Sequence, residues 1–151
     1  GKSANERGND MFVVGLQDIL KSKLFENRNI VLCMESAASY FGMTTEWGIP
    51  INLYTDDTNI ISSEYIKCIY VDSMNGIDVV EVNGIKVTSA EQTICDLIEH
   101  DRSAQSIMES LNYYYENCDN THKLEEYIKK SGISYDKFQE YLRDAEEYYY
   151  E

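Results

Sequence analysis

Ser89 separates two kinds of pattern, and no other feature limits the fold so sharply. Before it, short apolar or alternating runs are punctuated by Gly, Pro, Asn and Asp; after it, apolar residues recur at helical spacing almost to the end. Runs of period 2 build strands, and stripes of period 3.6 build helices. Strands first and helices last, with no regular β-α alternation, predict an α+β fold. The expectation is a small mixed or antiparallel sheet in the first two thirds, packed with helices, and a helical C-terminal part over about residues 101–151.

Phe12, Leu16, Ile19, Leu20 and Leu24 recur at helical spacing, so an amphipathic helix should end near Phe25, where Asn27-Arg28-Asn29 breaks it. Ile30 to Met34 is a short apolar run of strand type. It leads into a helix of small residues, Ser36 to Phe41. There Ala37 and Ala38 permit close packing, and Gly42 stands where a C-cap needs positive φ. Trp47-Gly48-Ile49-Pro50 is a turn, and Pro50 is compatible with a strand over Ile51 to Tyr54 only at its beginning. Ile66 to Val71 is a further strand. Asp78 to Val82 and Ile85 to Val87 flank Asn83-Gly84, the strongest two-residue hairpin signal.

Behind that hairpin, either Thr88 with Glu91 or Ser89 with Gln92 forms a capping box for the next helix, whose Ala90, Ile94, Leu97 and Ile98 share one face. Later helices run through Ile107, Leu111 and Tyr115, through Leu124, Tyr127 and Ile128, and through Phe138, Tyr141, Leu142 and Ala145. Gly132 follows Lys129 and Lys130 as a C-terminal stop.

With 151 residues, of which 43% are hydrophobic and 26% charged, the chain has the makings of one soluble globular domain over residues 11–151. Residues 1–10 are expected to be disordered or appended, with Met11 as a native start. No apolar run approaches the roughly 20 residues of a membrane span, and the polar beginning has no signal-peptide core. Cys33, Cys68, Cys95 and Cys118 are widely spaced, without metal-ligand companions, and predict buried free thiols in a reducing cytoplasm. His100 and His122 are expected at helix ends.

The net charge is −14, and it is unevenly spread. Five basic residues meet four acidic ones up to Arg28, but between Asn29 and His100 only Lys67 and Lys86 oppose eleven carboxylates. Nucleic-acid binding depends on clustered Lys and Arg, so this composition argues against direct DNA or RNA contact.

No phosphate-cradling Gly loop and no Gly-x-Ser-x-Gly elbow occurs. The best candidate for catalysis is Asp56-Asp57, adjacent carboxylates after a strand, which are able to hold Mg²⁺ but form an equally good polar turn. Glu81 and Lys86 are too far apart for the Glu-x-Lys half of a nuclease-type site. The residues therefore predict no catalytic set, no metal and no cofactor. Tyr113-Tyr114-Tyr115 and Tyr148-Tyr149-Tyr150 cannot all face inward on a helix, which makes Tyr113, Tyr114, Tyr148 and Tyr149 candidates for an exposed aromatic surface.

Two segments carry a wider signal: Ser36-Ala37-Ala38-Ser39-Tyr40-Phe41-Gly42-Met43, and Gly84-Ile85-Lys86-Val87-Thr88-Ser89-Ala90-Glu91-Gln92-Thr93-Ile94-Cys95-Asp96-Leu97. Together with Pro50 opening a strand, they resemble in order the antitoxin domain of the AbiEi family, from about Ile30 to about Leu97. The resemblance implies a non-enzymatic antitoxin or regulatory domain of a phage-defence, type IV toxin–antitoxin system. Its functional partner would be a nucleotidyltransferase-like toxin, which such antitoxins need not touch. The matching residues Ser36, Ala37, Gly42, Thr88, Ser89, Glu91, Thr93 and Asp96 are then architectural or partner-binding. Family members typically carry an N-terminal winged helix that represses their operon. That unit needs roughly 60 residues, and only 35 precede Ser36, so repression does not follow from the resemblance.

Overall fold

The computed structural model describes residues 15–22 and 25–150, the last two without their side chains. In chain order the elements are α1 (15–20), β1 (Ile30–Leu32), α2 (Met34–Phe41), β2 (Ile51–Thr55), β3 (Ile66–Tyr70), β4 (Val79–Val82), β5 (Ile85–Thr88), α3 (Ala90–Glu99), α4 (Ala104–Asn117), α5 (His122–Ser131) and α6 (Tyr135–Tyr150). The α+β expectation holds, and the sheet is mixed. Its order is β3-β2-β1-β5-β4, with β1 antiparallel to β2 and parallel to β5, and β2 parallel to β3.

Register sorts the strand residues onto two faces. Val31 pairs with Tyr54, and both join an apolar cluster with α3 to α6; one step on, Leu32 pairs with Leu53 and Val87, and these join a second cluster with Leu16, Leu20 and Phe25. A strand alternates its side chains, so adjacent residues feed opposite cores. Helix α2 belongs to both, through Ala38 on one side and Ala37 on the other, each with no accessible surface. The small side chains at these two positions let neighbours approach the helix closely on both sides.

The turns explain most boundaries. Gly42 takes φ 77°, and its N–H and that of Met43 bond back to Ser39 and Ala38 in a Schellman motif that ends α2. Asn83 and Gly84 both take positive φ, as the tight hairpin between β4 and β5 requires. Gly132 ends α5 in the left-handed region. The strand expected over Ile30 to Met34 stops at Leu32. Cys33 is the N-cap of α2, and Met34 turns the chain with φ 54°.

Three further expectations need correction. Ile19 is exposed, so α1 buries only Leu16 and Leu20, one turn apart. Cys33 and Cys95 are buried, whereas Cys68 and Cys118 are only half-buried; all four are free. Tyr114 is 1% exposed, filling the core between α4 and its neighbours, while Tyr113 and Tyr148 do face solvent. On a helix, successive side chains turn by about 100°, and Tyr114 falls in line with Ile107 and Leu111. The expectations for residues 1–10, Phe12, Leu24 and the side chain of Tyr149 fall outside the described residues. Among the described residues, no helix is long and apolar enough to cross a membrane.

Candidate functional site

The two segments singled out in the sequence meet in the interior. Helix α2 packs on α3 and β1 lies beside β5, and the buried polar residues there fall into two hydrogen-bonded groups, one at the start of α2 and one along α3, referred to together as the seam. Ser36 ties its first part. Its hydroxyl donates to the Gly48 carbonyl at 2.7 Å and accepts from the Asn52 N–H at 2.9 Å, which fastens the turn before β2 to the first turn of α2.

Next to it lies an ion pair. Arg102 Nε reaches both carboxylate oxygens of Glu35, at 2.7 and 3.0 Å, and Nη2 bonds Asn52 Oδ1 at 3.2 Å. The end of α3 places that arginine. Asp101 takes φ 48°, and the N–H groups of Asp101 and Arg102 bond back to Ile98 and Leu97, a Schellman turn without glycine. The chain is thereby folded back over the first turn of α2, where Glu35 is also well placed for the helix dipole.

The second part runs along α3. Ser89 is the N-cap: its Oγ accepts from the Gln92 N–H at 3.1 Å. Thr88 plays another role, sharing a 2.7 Å hydroxyl bond with Thr93, both without accessible surface. The reciprocal half of the capping box is not made. The Gln92 side chain instead accepts from the Asp78 N–H and the Tyr127 hydroxyl, and donates to Asp96 Oδ1 at 2.8 Å. One amide thus joins the approach to β4, helix α3 and helix α5. Glu91, nearly buried, pairs with Lys123 of α5 at 3.2 Å.

Asp96 is the outlier of the seam. It is 3% exposed, and its Oδ2 has no hydrogen-bond partner. Burial pushes its pKa up to about 6, opposed by the Gln92 bond, the nearby Tyr54 hydroxyl and His100. Burial likewise raises Cys33 well above the ordinary thiol range and Cys95 to about 12, each with the Asp96 charge adding to the effect. Thiols so shifted are protonated and poor nucleophiles.

A second polar knot was not foreseen. Glu109 of α4 accepts from the Thr44 and Thr45 hydroxyls at 2.8 and 2.9 Å, and Glu46 accepts from Ser103 and Ser106 at the start of α4. It anchors the loop after α2 to α4. Its members lie about 60 positions apart, so no local spacing marks them; only Ser103 ahead of the next apolar stripe carried a signal, as a helix N-cap.

Asp56 and Asp57 stand in the loop after β2, with different partners. Asp57 Oδ2 holds Arg28 Nη1 at 2.7 Å, and Asp56 accepts from Asn29 Nδ2 at 3.1 Å. The Arg28 bond keeps the Asp57 carboxyl below its usual range. No cluster of three or more His, Cys, Asp or Glu side chains suited to a metal ion occurs among the described residues.

The structure thus brings together Thr88, Ser89, Glu91, Thr93 and Asp96 at α3, and places Ser36 in a separate polar group at the start of α2, the helix that packs on α3 and that Ala37 and Gly42 shape. Tyr113 and Tyr148 lie apart from both, on α4 and α6. Sequence reasoning missed Glu35, Asn52, Gln92 as a bridge, and Arg102, whose partners lie 50 and 67 positions away. No protein-family model matches this chain, and no curated protein sequence matches it.

Proposed function

We propose that this chain is a non-enzymatic antitoxin or regulatory domain of a phage-defence toxin–antitoxin system, counteracting a nucleotidyltransferase-like toxin in the cytoplasm without itself contacting DNA. One observation supports this above the rest. The two segments that resemble the AbiEi antitoxin domain are packed against each other, with α2 on α3 and Leu32 of β1 beside Val87 of β5. The resemblance therefore falls on a single structural unit rather than on scattered residues. The eleven-to-two excess of carboxylates between Asn29 and His100 favours a role away from nucleic acid.

The test is co-expression with a co-encoded nucleotidyltransferase-like toxin in cells that the toxin arrests. Restored growth is the expected result. A domain that folds and accumulates yet gives no rescue removes the antitoxin reading. It then leaves an acidic protein-interaction domain, a reading that exposed Trp47, Ile49 and Tyr65 favour. Binding of duplex DNA at low salt, followed by fluorescence anisotropy, tests the second half of the proposal; submicromolar affinity overturns it.

A further inference from the structure

Trp47, Ile49 and Tyr65 are each more than half exposed, and they belong to one place in the fold. Trp47 and Ile49 flank the buried Gly48 in the turn before β2, and the Ile51 N–H bonds the Tyr65 carbonyl at 2.7 Å, which sets the entry to β3 beside that turn. Ile61, 80% exposed, stands in the loop that Ser62 and Ser63 fasten to β3: the Ser62 hydroxyl accepts from the Cys68 N–H, and the Ser63 N–H donates to the Ile66 carbonyl. Large apolar side chains scattered singly over a surface need no explanation, but several at one place mark a contact surface.

The turn is tied down along its length. Glu46 accepts from Ser103 and Ser106 of the α4 start, the Gly48 carbonyl accepts from the Ser36 hydroxyl, and the Pro50 carbonyl accepts from Asn52 Nδ2 at 3.1 Å. Its backbone is thus fixed to the core while Trp47 and Ile49 stand in solvent. A surface ordered before contact loses little freedom on binding, and aromatic anchors carry much of the energy of protein interfaces. Charge decides what can cover it. Between Glu46 and Asp72 stand five carboxylates, Glu46, Asp56, Asp57, Glu64 and Asp72, and one cation, Lys67. Among the described residues only Asp57 of these has a cationic partner, Arg28. A second copy docked through the same surface would set these carboxylates against their own kind, and an anionic membrane would be repelled as well.

We infer that this surface docks a segment of a partner protein that presents apolar side chains flanked by Lys or Arg. The apolar groups cover Trp47, Ile49 and Tyr65, and the cations meet the carboxylates around them, with Glu64 next to Tyr65 in the chain. The inference rests on the surface itself and holds whether or not the domain rescues cells from a toxin, because its test involves no toxin.

Trp47 is the sole tryptophan of the chain, so its emission reports coverage of the surface directly. Three peptides without tryptophan serve as probes, one alternating Lys and Leu, one alternating Glu and Leu, and one alternating Lys and Ser. The Lys–Leu peptide is expected to shift Trp47 emission to the blue and to saturate at micromolar concentration, with the other two roughly tenfold weaker or more. Ile49→Ser with Tyr65→Ser should weaken binding roughly tenfold or more, whereas Tyr113→Ser with Tyr148→Ser, a loss of exposed aromatic groups elsewhere, should leave it unaltered. All four positions face solvent. Circular dichroism melts establish that the variants fold, and Ile49→Ser alone replaces the double variant if it does not. The inference is overturned by absence of saturation at millimolar peptide, by equal affinity for the Glu–Leu or Lys–Ser peptide, or by equal loss in the distant variant. It also falls, in favour of a second copy, if diluting the protein alone shifts Trp47 emission to the red while sedimentation shows a dimer dissociating.

Discussion

The seam between α2 and α3 and the packing among α4, α5 and α6 are both buried, yet different forces organise them. In the helical part, Leu111, Leu124, Ile128 and Phe138 have no accessible surface and meet through apolar contact. Charged pairs such as Lys137 with Asp101 stay at its margin. In the seam, Ser36, Thr88, Thr93 and Asp96 are as deeply buried, and all but Asp96 have their polar atoms paired. Apolar contact is non-directional and tolerates exchange of shape-compatible residues. A buried polar bond tolerates only the partner it has, because an orphaned group keeps its full desolvation cost. The seam should therefore be the more specific region and the helical part the more forgiving one.

The largest effect is expected where that forgiveness is exceeded. Phe138→Ala should cost about 3 to 5 kcal/mol in urea unfolding, and Phe138→Leu much less. A cost under about 1 kcal/mol would mean that the helical part does not unfold with the sheet, and would dissolve the comparison.

Asp96 sharpens it from the other side. Its carboxyl is raised from 3.8 to about 6 in the folded chain, so between those values the folded state holds the proton that the unfolded state has released. Its contribution therefore destabilises above pH 6 and is relieved as pH falls toward 4, on the order of 2 to 3 kcal/mol across the window. Asp96→Asn should accordingly be the more stable protein at pH 8, with the difference from wild type closing by pH 4. A difference that stays constant with pH, followed by denaturant midpoints, would remove Asp96 as a buried charge.

Ser36→Ala should cost about 1 to 3 kcal/mol, because the Asn52 N–H and the Gly48 carbonyl lose their partner together. Ser36→Cys, similar in shape and weaker in bonding, should recover only part of it. Smallest is Ser89→Ala, about 1 kcal/mol, for loss of the α3 cap. Thermal melts read both. If Ser36→Ala proved the milder change, the claim that directional bonds hold the seam would fail.

Much of the scaffold was legible because its signals are local. Asn83-Gly84, Gly42 and Gly132 each mark a backbone conformation that few residues adopt, and each stands where the structure takes positive φ. The apolar stripes of α3 to α6 were visible for the same reason: helical neighbours are three or four positions apart in sequence. Where the expectation failed, the cause lay elsewhere in the fold. The count of three tyrosines does not say which one faces the core, and the rotation of α4 against its neighbours selected Tyr114. Nor does Ile30 to Met34 record where the strand must stop. The last bond to β2 is made by the Cys33 N–H to the Asn52 carbonyl, and the left-handed turn at Met34 then starts α2.

From sequence alone follow the α+β class, the sequence of strands and helices behind Ile30, the cap of α3 at a Thr88 or Ser89 hydroxyl, and the acidic character of the middle of the chain. Each depends on neighbours within a few positions or on composition. The strand order β3-β2-β1-β5-β4 was decided only in three dimensions, as was the choice of Ser89 for the cap and Thr88 for the Thr93 bond. So was the Glu35–Arg102–Asn52 linkage. The physical reason is common to all of these. A side chain's environment is set by whatever the folded chain brings against it, and partners 50 or more positions apart leave no periodic trace in the order of residues.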